Sequence, residues 1–488
     1  MTKEKMTQCK NIFLDLILNE GLKWHLGRMP DGRIPSWFLD LREILLTPEG
    51  SRLAIELLYE KIKDLNFDVL AGPSLAAEPI IPTLLLRFLN DGIYKTGCIV
   101  RKERGSFGLK KLVEGPSVKG KNVILIDDAM NSGGSMQHAV DAIEQEGGTI
   151  AMILTLVDFV KQGNLKFRER GYKVVHIYSI QDLGFDERRT YSYQKIPQQH
   201  MDEQSSDNNT LLEPFSADAY PPIERVVSVP KSTLVSYSDG RICCFNNKTR
   251  QIIWEHSLGE KVEILYTDSN EAVIFAASGL RRACLFFLSV LGGTMSAQIK
   301  LHGSEKPHLN IFQENYLLCH TDGRMQLLEK GTKKLLWEIA LEKIPTKPAV
   351  DEKNVYVASE LDIISLDHLG TVIWKKRLGL ATLLAVGDNS LFVSTRSNFL
   401  VALNKENGRV IWIFETKNVI KETVCQMKMI GLFCEDGYLI FIGQIDGKVL
   451  QSFKIAQDNA IDLTLGQNQL QIFFADKSFV NVPYDKIL

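Results

Sequence analysis

Val123-Ile-Leu-Ile-Asp-Asp-Ala-Met-Asn-Ser-Gly-Gly-Ser135 combines an apolar run, two adjacent aspartates and a loop of small residues. The apolar run is typical of a buried parallel strand. Apolar residues then recur at helical spacing until two glycines end the pattern: Met136, Ala139, Val140 and Ile143, followed by Gly147-Gly148. We therefore predict a strand, a tight loop and a helix, with the loop at the helix N-terminus.

This arrangement predicts a binding site for a phosphorylated sugar. Backbone N–H groups of a glycine-containing loop at a helix N-terminus bind anions. Asp127 and Asp128 would repel a phosphate unless they met hydroxyl donors or a bridging cation, which favours a sugar phosphate with Mg²⁺. The predicted phosphate-binding residues are Ala129, Met130, Asn131, Ser132, Gly133, Gly134 and Ser135.

The same stretch resembles the phosphoribosyl pyrophosphate (PRPP) signature of type I phosphoribosyltransferases. The resemblance implies that Asp127 and Asp128 hold the ribose hydroxyls and that the following loop binds the 5′-phosphate. It also implies Mg²⁺ bridged through PRPP, with no residue assigned as a direct metal ligand. Asn131 stands where the family usually has Thr or Ser. The implied fold is an α/β domain whose parallel sheet is flanked by helices.

Flanking segments extend the resemblance to the orotate phosphoribosyltransferase branch, over roughly residues 13 to 182. Phe67-Asp-Val-Leu-Ala-Gly-Pro-Ser-Leu-Ala-Ala77 resembles the pyrophosphate loop, and Arg101-Lys102-Glu103 with Gly108 and Leu112-Val-Glu-Gly115 resembles the mobile catalytic loop. Gly32-Arg33 and Trp37-Phe-Leu-Asp-Leu-Arg42 resemble the hood over the base. The residues that this resemblance assigns to pyrophosphate are Gly72, Pro73, Ser74, Leu75 and Ala76 in the first loop, and Arg101 and Lys102 as catalytic cations.

Three departures from the family pattern argue against orotate as the acceptor. The catalytic Lys and the frequent His of the mobile loop are replaced by Gly105 and Phe107, although Arg104 and Lys110 are alternative cations nearby. Pro30 replaces a base-binding Lys, and Phe159 replaces an Arg that binds the base carboxylate. A desolvated carboxylate without positive partners costs several kcal/mol. A neutral or aromatic acceptor is therefore favoured.

Two functions remain open from the sequence. In the first, the chain transfers the phosphoribosyl group from PRPP to a nucleobase or related acceptor and releases pyrophosphate. Its catalysis would be mainly electrostatic and positional, with loop closure over residues 101 to 115 excluding water. In the second, the chain is a non-catalytic PRPP or nucleotide sensor that signals through its second domain. His138 is predicted to be a helix-face residue and not a catalyst.

Composition divides the 488 residues into two domains. We predict a phosphoribosyltransferase-like domain over residues 1–192, a polar linker over 193–219 and a repetitive all-β domain over 220–488. The repeats share a turn, two β-favouring residues and usually a tryptophan: Lys248-Thr-Arg-Gln-Ile-Ile-Trp254, Gly331-Thr-Lys-Lys-Leu-Leu-Trp337, Gly370-Thr-Val-Ile-Trp374, Gly408-Arg-Val-Ile-Trp412 and Gly447-Lys-Val-Leu450, with a degenerate copy at Gly293-Thr-Met295. Their period of about 40 residues indicates propeller blades.

The unit resembles the pyrroloquinoline-quinone-like propeller repeat, in which a strand such as the one from Leu234 to Phe245 precedes the tryptophan strand. We expect seven blades in preference to six or eight, the terminal strands around 470–482 and 223–229 sharing the last one. The tryptophans are expected to pack between blades. Adjacent Cys243 and Cys244 are expected to be free thiols, and no quinone cofactor is expected. The expected role is a platform for a protein partner.

Composition restricts the partners and the compartment. A net charge of −2, from 57 basic and 59 acidic residues, gives no reason to expect nucleic acid. The eight cysteines show no metal-type spacing, which suits a reducing compartment. No apolar span reaches the length of a membrane helix. We therefore expect a cytoplasmic protein without membrane contact, and the family resemblance makes a homodimer a reasonable expectation.

Overall fold

The computed structural model describes two compact units. The first comprises residues 1–190 with 399–403 and 409–417, and the second comprises the remaining residues from 191 onward. The described residues are 2–24, 37–73, 75, 77–103, 111–159, 162–185, 194–195, 223–259, 261–278, 282–301, 306–344, 346–426, 428–454, 460–465, 469–474 and 479–483. The predicted linker lies largely outside these ranges, so the proposed domain boundaries stay predictions.

Two helices of the first unit, α1 (Lys3–Leu16) and α3 (Pro48–Ile62), begin after a threonine whose hydroxyl caps the helix N-terminus. Thr47 precedes the third helix, and its hydroxyl accepts the N–H of Gly50 at 3.1 Å while Pro48 occupies the first helical position. None of the helices within the described ranges is long and apolar enough to cross a membrane. The α-helices are α1 Lys3–Leu16, α2 Arg42–Leu45, α3 Pro48–Ile62, α4 Ile80–Asn90, α5 Gly134–Gln145 and α6 Gln162–Glu169; a π-helical turn spans Ile17–Gly21 and a 3₁₀ turn spans Ile180–Leu183.

A six-stranded sheet forms the centre of this unit. Its order is β5-β4-β3-β6-β7-β8, and all neighbours are parallel except β5, which is antiparallel to β4. A short antiparallel pair, β1 with β2, lies outside it. The strands are β1 Leu22–Trp24, β2 Trp37–Leu39, β3 Val69–Pro73, β4 Thr96–Val100, β5 Val113–Glu114, β6 Asn122–Met130, β7 Thr149–Asp158 and β8 Val174–Ser179. The predicted α/β fold with a parallel sheet is confirmed.

The strand order also indicates where a ligand-binding crevice of this sheet lies. The chain passes from β3 to β4 on one side of the sheet, and later from β6 to β7 on the other. Ligands of open α/β sheets bind outside the carboxyl ends of the strands at such a reversal. The crevice beyond β3 and β6 is therefore the expected site.

The predicted strand–loop–helix unit is present in this sheet. Val123 and Leu125 of β6 are fully buried and pack in one core cluster with α5. The helix contributes Met136, Ala139 and Val140 to the same cluster. Each large apolar side chain buried in this way contributes about 1.5–3 kcal/mol. This core fixes α5 against β6, and so fixes the loop between them.

From residue 223 onward the chain forms successive antiparallel sheets, in agreement with a propeller. Seven sheets occur within the described ranges: six have four consecutive strands each, and the last has three. The short strand β9, Gln194–Lys195, also adds in parallel to the outer edge of the sixth sheet. The remaining strands are β10 Ile223–Val229, β11 Ser232–Tyr237, β12 Arg241–Asn246, β13 Ile252–Ser257, β14 Lys261–Thr267, β15 Glu271–Ser278, β16 Arg282–Ser289, β17 Met295–Leu301, β18 His308–Phe312, β19 Asn315–Cys319, β20 Arg324–Leu328, β21 Leu335–Ala340, β22 Ala349–Val350, β23 Val355–Ser359, β24 Asp362–Leu366, β25 Val372–Arg377, β26 Ala381–Val386, β27 Ser390–Thr395, β28 Phe399–Asn404, β29 Val410–Glu415, β30 Ile420–Gln426, β31 Met429–Cys434, β32 Tyr438–Gly443, β33 Val449–Lys454, β34 Ala460–Leu465, β35 Gln469–Phe474 and β36 Phe479–Pro483.

Two expectations for the propeller were wrong in detail. Ile223–Val229 does not share the last sheet, because a tight turn after Val229 pairs it directly with β11 in the first sheet. The run from Leu234 to Phe245 is a hairpin and not one strand, since the chain turns at Gly240, whose φ is 86°. The seven-sheet count itself agrees with the prediction.

Tryptophans connect consecutive blades through one repeated contact. The indole Nε1–H of Trp254 donates to the carbonyl of Val290 at 2.8 Å, and that of Trp374 donates to the carbonyl of Lys405 at 2.7 Å. Trp337 makes the same bond to His368 at 2.9 Å. The ring also lies against the glycine that opens the next repeat, where an added Cβ would come within 2.5 Å of Trp254 from Gly293, 3.2 Å of Trp337 from Gly370, and 2.6 Å of Trp374 from Gly408. The expected packing role is confirmed for these three tryptophans.

Candidate functional site

The two adjacent aspartates lie at the carboxyl end of β6, next to the crevice. Asp127 is only 6% exposed, and its Oδ1 accepts the N–H of Asp128 at 3.0 Å. Burial, followed by the charge of Asp128, raises the pKa of Asp127 well above its usual value. Burial also raises the pKa of Asp128, although the charge of Arg42 opposes that rise. The pair therefore carries an unfavourable charge that hydroxyl donors or a cation would relieve.

The loop after this pair has the geometry of an anion site. Gly133 has φ 78° and ψ 8°, a left-handed conformation that glycine adopts without strain, and it caps the N-terminus of α5. Its carbonyl accepts the first helical N–H, from Gln137, at 2.8 Å. Asn131 and Ser132 are exposed beside it. The structure thus brings the acidic pair and the predicted phosphate loop together at one helix N-terminus.

The predicted pyrophosphate loop begins on the neighbouring strand. A Cβ on Gly72 would lie 2.2 Å from the carbonyl oxygen of Ile126 and 2.5 Å from the Cβ of Ala77. Only glycine therefore allows the end of β3 to approach β6 immediately before Asp127. Leu75 is 60% exposed with φ 75°, a conformation that bulky residues rarely adopt. Pro73 ends β3, whereas Ser74 and Ala76 lie outside the described residues.

Arg101 and Lys102 follow β4, which is the strand next to β3. Both are exposed, and the Arg101 guanidinium lies 3.6 Å from the Glu114 carboxylate. The Arg101 N–H donates to the carbonyl of Leu112 at 2.9 Å, so the predicted mobile loop has a hydrogen-bonded base. Residues 113–114 form β5 and are part of the sheet, contrary to a loop that runs through residue 115. The predictions for Arg104, Gly105, Phe107, Gly108 and Lys110 lie outside the described residues.

Arg42 of the predicted hood adds a cation that sequence reasoning did not single out. Its guanidinium donates from Nε and Nη2 to both carboxylate oxygens of Asp40, each at 2.8 Å. The hydrogen bond and charge of Asp40 raise the pKa of Arg42, and the charge of Asp128 adds to that effect. Arg42 therefore lies close enough to the acidic pair to act on its charge. Pro30, Gly32 and Arg33 lie outside the described residues.

An aromatic surface occupies the end of β7, where the family pattern has an arginine. The rings of Phe159 and Trp37 stack with centroids 5.9 Å apart and an interplanar angle of 14°. Trp37 also lies against Phe185, with centroids 4.2 Å apart. The Phe159 N–H donates to the carbonyl of Met130 at 2.9 Å, which places this surface beside the phosphate loop. The preceding Asp158 is fully buried and accepts a hydrogen bond from Asn164.

The described residues do not form a metal site from protein side chains alone. In the part of the chain that the structure describes, no group of three or more His, Cys, Asp or Glu side chains could hold a metal ion. Two carboxylates are nevertheless a suitable donor set for Mg²⁺, which commonly keeps waters and binds substrate oxygens. Asp127 and Asp128 therefore fit a metal held jointly with a ligand.

Comparison with known proteins agrees with both units. Residues 40–188 match the family model described as phosphoribosyl transferase domain, and residues 359–461 match the one described as outer membrane protein assembly factor BamB. The orotate phosphoribosyltransferase of Streptomyces coelicolor is 28% identical over 37% of this chain and 100% of its own length. That of Streptomyces avermitilis is 32% identical over 32% of this chain and 87% of its own length. The crystal structure of BamB from Moraxella catarrhalis matches 54% of this chain and 83% of its own, with 18% identity and a TM-score of 0.44.

The sheet, its crevice and the acidic pair beside the helix N-terminus define a type I phosphoribosyltransferase domain. A propeller of the BamB-like repeat class follows it. Within the first class, the chain belongs to the orotate phosphoribosyltransferase family, which places it among the pentosyltransferases.

Proposed function

We propose that this protein transfers the phosphoribosyl group of PRPP to an acceptor base and releases pyrophosphate. The observation that carries this proposal is the buried pair Asp127 and Asp128, whose raised pKa values leave it in need of hydroxyl or cationic partners beside an anion-binding loop. Gly72 allows the end of β3 to lie against Ile126 of β6, immediately before Asp127. The proposal is supported by the adjacency of these parts at the carboxyl ends of β3 and β6, since PRPP presents a 5′-phosphate, a ribose and a pyrophosphate together.

Each part has a distinct role in the proposed reaction. The acidic pair holds the ribose hydroxyls, and residues 129–135 bind the 5′-phosphate through backbone N–H groups. The β3 loop and the cations of Arg101 and Lys102 hold the leaving pyrophosphate, whose negative charge grows as the bond to the anomeric carbon breaks. Mg²⁺, if bound with PRPP, would supply further positive charge to the pyrophosphate, and Asp127 and Asp128 are the carboxylates beside which it would be held. Most of the rate enhancement then comes from position and charge.

The acceptor is proposed to be a base without a carboxylate. Phe159 and Trp37 provide an apolar stacking surface, and no cation faces them among the described contacts of Phe159. A planar heterocycle stacks on such a surface, whereas an anionic base would lose water without gaining a positive partner. Orotate is accordingly a poor candidate, although it is the substrate named for the similar enzymes.

The first experiment is a calorimetric titration of PRPP with Mg²⁺ into wild type and the Asp127→Asn/Asp128→Asn variant. We expect binding by wild type and at least a 100-fold loss in the variant, because about two charge-assisted contacts disappear. Asp141→Asn is the matched control, since Asp141 lies on α5 and its carboxylate accepts a hydrogen bond from Gln137 Nε2 at 2.7 Å on the exposed face of the helix. Equal affinity in all three proteins would overturn the site assignment.

A second experiment separates turnover from sensing. Pyrophosphate release is measured with a panel of purine, pyrimidine and pyridine bases, and the Phe159→Arg variant is tested with orotate in parallel. Release with a neutral base supports the transferase. PRPP binding without release for any base favours the alternative, a PRPP or nucleotide sensor that signals through the propeller. Rapid release with orotate by wild type would contradict the proposed acceptor class.

Other aspects of function stay predictions. A homodimer is supported by three apolar side chains on and just after α4, Leu86, Leu89 and Tyr94, which are 61%, 58% and 82% exposed. A protein partner on the propeller is supported by a polar cleft of about 700 Å³ between turns at residues 351–354, 386–389 and 404–406. A reducing, cytoplasmic location is supported by the free thiols of the cysteines.

A further inference from the structure

His138 makes a contact that joins two parts of the proposed site. It lies one turn into α5, and its Nε2 is 2.9 Å from the main-chain carbonyl oxygen of Arg101. A carbonyl only accepts, so Nε2 must carry the proton in this contact. Both the neutral Nε2–H tautomer and the imidazolium meet that requirement. The link therefore does not depend on the protonation state of Nδ1.

The main chain of Arg101 is hydrogen-bonded at both its N–H and its carbonyl, and His138 provides the second of these bonds. The N–H of this residue continues the ladder between β4 and β5 by donating to Leu112, which follows the pairing of Val100 with Val113. Its carbonyl instead binds a helix outside the sheet. Arg101 is thus held on one side by the hairpin and on the other by α5. The side chain of Arg101 therefore extends from a residue whose N–H and carbonyl are both hydrogen-bonded, and Lys102 follows this residue directly.

We propose that His138 is a positioning residue that sets the distance between the phosphate loop and the pyrophosphate-binding cations. This inference rests on the proposed function, because it concerns the same PRPP site. Helix α5 begins at Gly134, directly after the phosphate loop, so His138 lies one turn from the N–H groups that hold the 5′-phosphate. PRPP carries a 5′-phosphate and a pyrophosphate at opposite ends of one ribose, so the relative placement of their two binding loops is a condition for binding both groups.

The test compares two ligands that differ only in the pyrophosphate. Dissociation constants of PRPP with Mg²⁺ and of ribose 5-phosphate are measured by calorimetry for wild type, His138→Ala, His138→Gln and Gln137→Ala. The amide of glutamine replaces the Nε2–H donor, whereas alanine removes it. Gln137 is the neighbouring control, since it binds Asp141 and Arg170 on the surface.

We expect His138→Ala to weaken PRPP about 3- to 10-fold, the effect of one lost hydrogen bond, while ribose 5-phosphate binds as in wild type. His138→Gln should recover most of the PRPP affinity, and Gln137→Ala should match wild type for both ligands. Unchanged PRPP affinity in His138→Ala overturns the inference. Equal weakening of both ligands also overturns it, because it would indicate a general disturbance of α5. Absence of PRPP binding by wild type would instead contradict the proposed function itself.

Discussion

Asp127 of the first unit, which is buried, and Asp268 of the propeller, which is partly buried, have opposite electrostatic environments. In the first unit, burial and a neighbouring carboxylate raise the pKa of Asp127, and no lysine or arginine among the described contacts neutralises it. In the propeller, burial alone would raise the pKa of Asp268, but hydrogen bonds outweigh it and lower the pKa. Asp268 accepts from Lys330 Nζ at 2.7 Å, from the N–H groups of Asn270 and Glu271 at 2.7 and 2.8 Å, and from the Tyr266 hydroxyl at 3.0 Å.

The same solution recurs two blades later. Asp351 accepts from the Tyr356 hydroxyl at 3.0 Å and pairs with Lys405 Nζ at 2.9 Å, and its pKa is also lowered despite burial. In both places an aspartate in a turn of one blade binds a lysine of the next. The propeller therefore satisfies its charges internally. In the first unit, backbone N–H bonds and the charge of Arg42 do not outweigh burial at Asp127 and Asp128, so the raised pKa values of this pair lower stability in the absence of a ligand.

Close packing differs between the units in a similar way. The propeller repeats one contact, a tryptophan of one blade against a glycine of the next. The close approach of β3 to β6 immediately before Asp127 depends on one residue, Gly72. Stability in a repeat structure is a sum over similar interfaces, whereas the site depends on individual residues.

The largest expected effect is on a blade interface. Trp254 is 8% exposed, so Trp254→Ala should lower the stability of the propeller by about 3–5 kcal/mol, as for other buried tryptophans. Hydrogen exchange by mass spectrometry should show the loss in β10–β17, with β3–β8 unchanged. Trp337→Ala is the matched variant, because Trp337 makes the same indole bond but is only half-buried. Equal effects would indicate that the shared hydrogen bond matters more than burial.

Local signals were sufficient to predict much of this architecture. The apolar run before Asp127 and the helical spacing after it correctly indicated β6 and α5, because both patterns depend only on neighbours along the chain. The 40-residue period indicated the propeller for the same reason. The error at residues 234–245 came from a missed Asp239-Gly240 turn signal, which the sequence does contain.

Contacts between distant segments were not predictable in this way. The approach of Gly72 to Ile126 depends on β3 and β6 being neighbours, and the bond from His138 to Arg101 depends on α5 lying next to β4. Periodicity shows which residues share a face, but it does not show strand order or register. The stacking of Trp37 on Phe159 was likewise not predictable, because it joins β2 to the end of β7 across a long stretch of chain.

A smaller effect is expected at the crevice. Gly72→Ala places a Cβ against the main chain of β6, so we expect a loss of about 1–3 kcal/mol in the stability of the first unit and weaker PRPP binding. Thermal unfolding and calorimetric titration measure the two effects. Gly134→Ala is the control for stability, since the nearest atom to its Cβ would be Ser132 Oγ at 3.9 Å. A stable Gly72→Ala protein would mean that β3 can move away from β6.

Asparagine substitutions of Asp127 and Asp268 should change protein stability in opposite directions. The pKa of Asp127 is raised by folding, so its ionisation lowers the stability of the ligand-free protein as pH rises above about 4. Asp127→Asn should therefore raise the midpoint of thermal unfolding at pH 7, and the gain should vanish near pH 4. Asp268→Asn should instead cost about 1 kcal/mol at pH 7, because it loses a charge that Lys330 stabilises. If both substitutions changed stability at pH 7 in the same direction, the proposed contrast between the two carboxylates would be wrong.

The smallest expected effect concerns the charge of Lys330 in its ion pair with Asp268. Lys330→Met keeps most of the apolar part of the side chain but removes the cation that lowers the pKa of Asp268, so the propeller should lose about 0.5–1 kcal/mol at pH 7. A lowered folded pKa stabilises above the unfolded value of about 4, and that stabilisation is lost as pH falls through the folded value. The gap between wild type and Lys330→Met in urea unfolding should therefore narrow below about pH 4. Lys375→Met is the control, since its pair with Asp362 is 53% exposed on the lysine side. A gap that stays constant with pH would show that Lys330 acts through its packing on the rings of Tyr266 and Tyr316, whose centroids lie 5.3 and 5.9 Å from its Nζ.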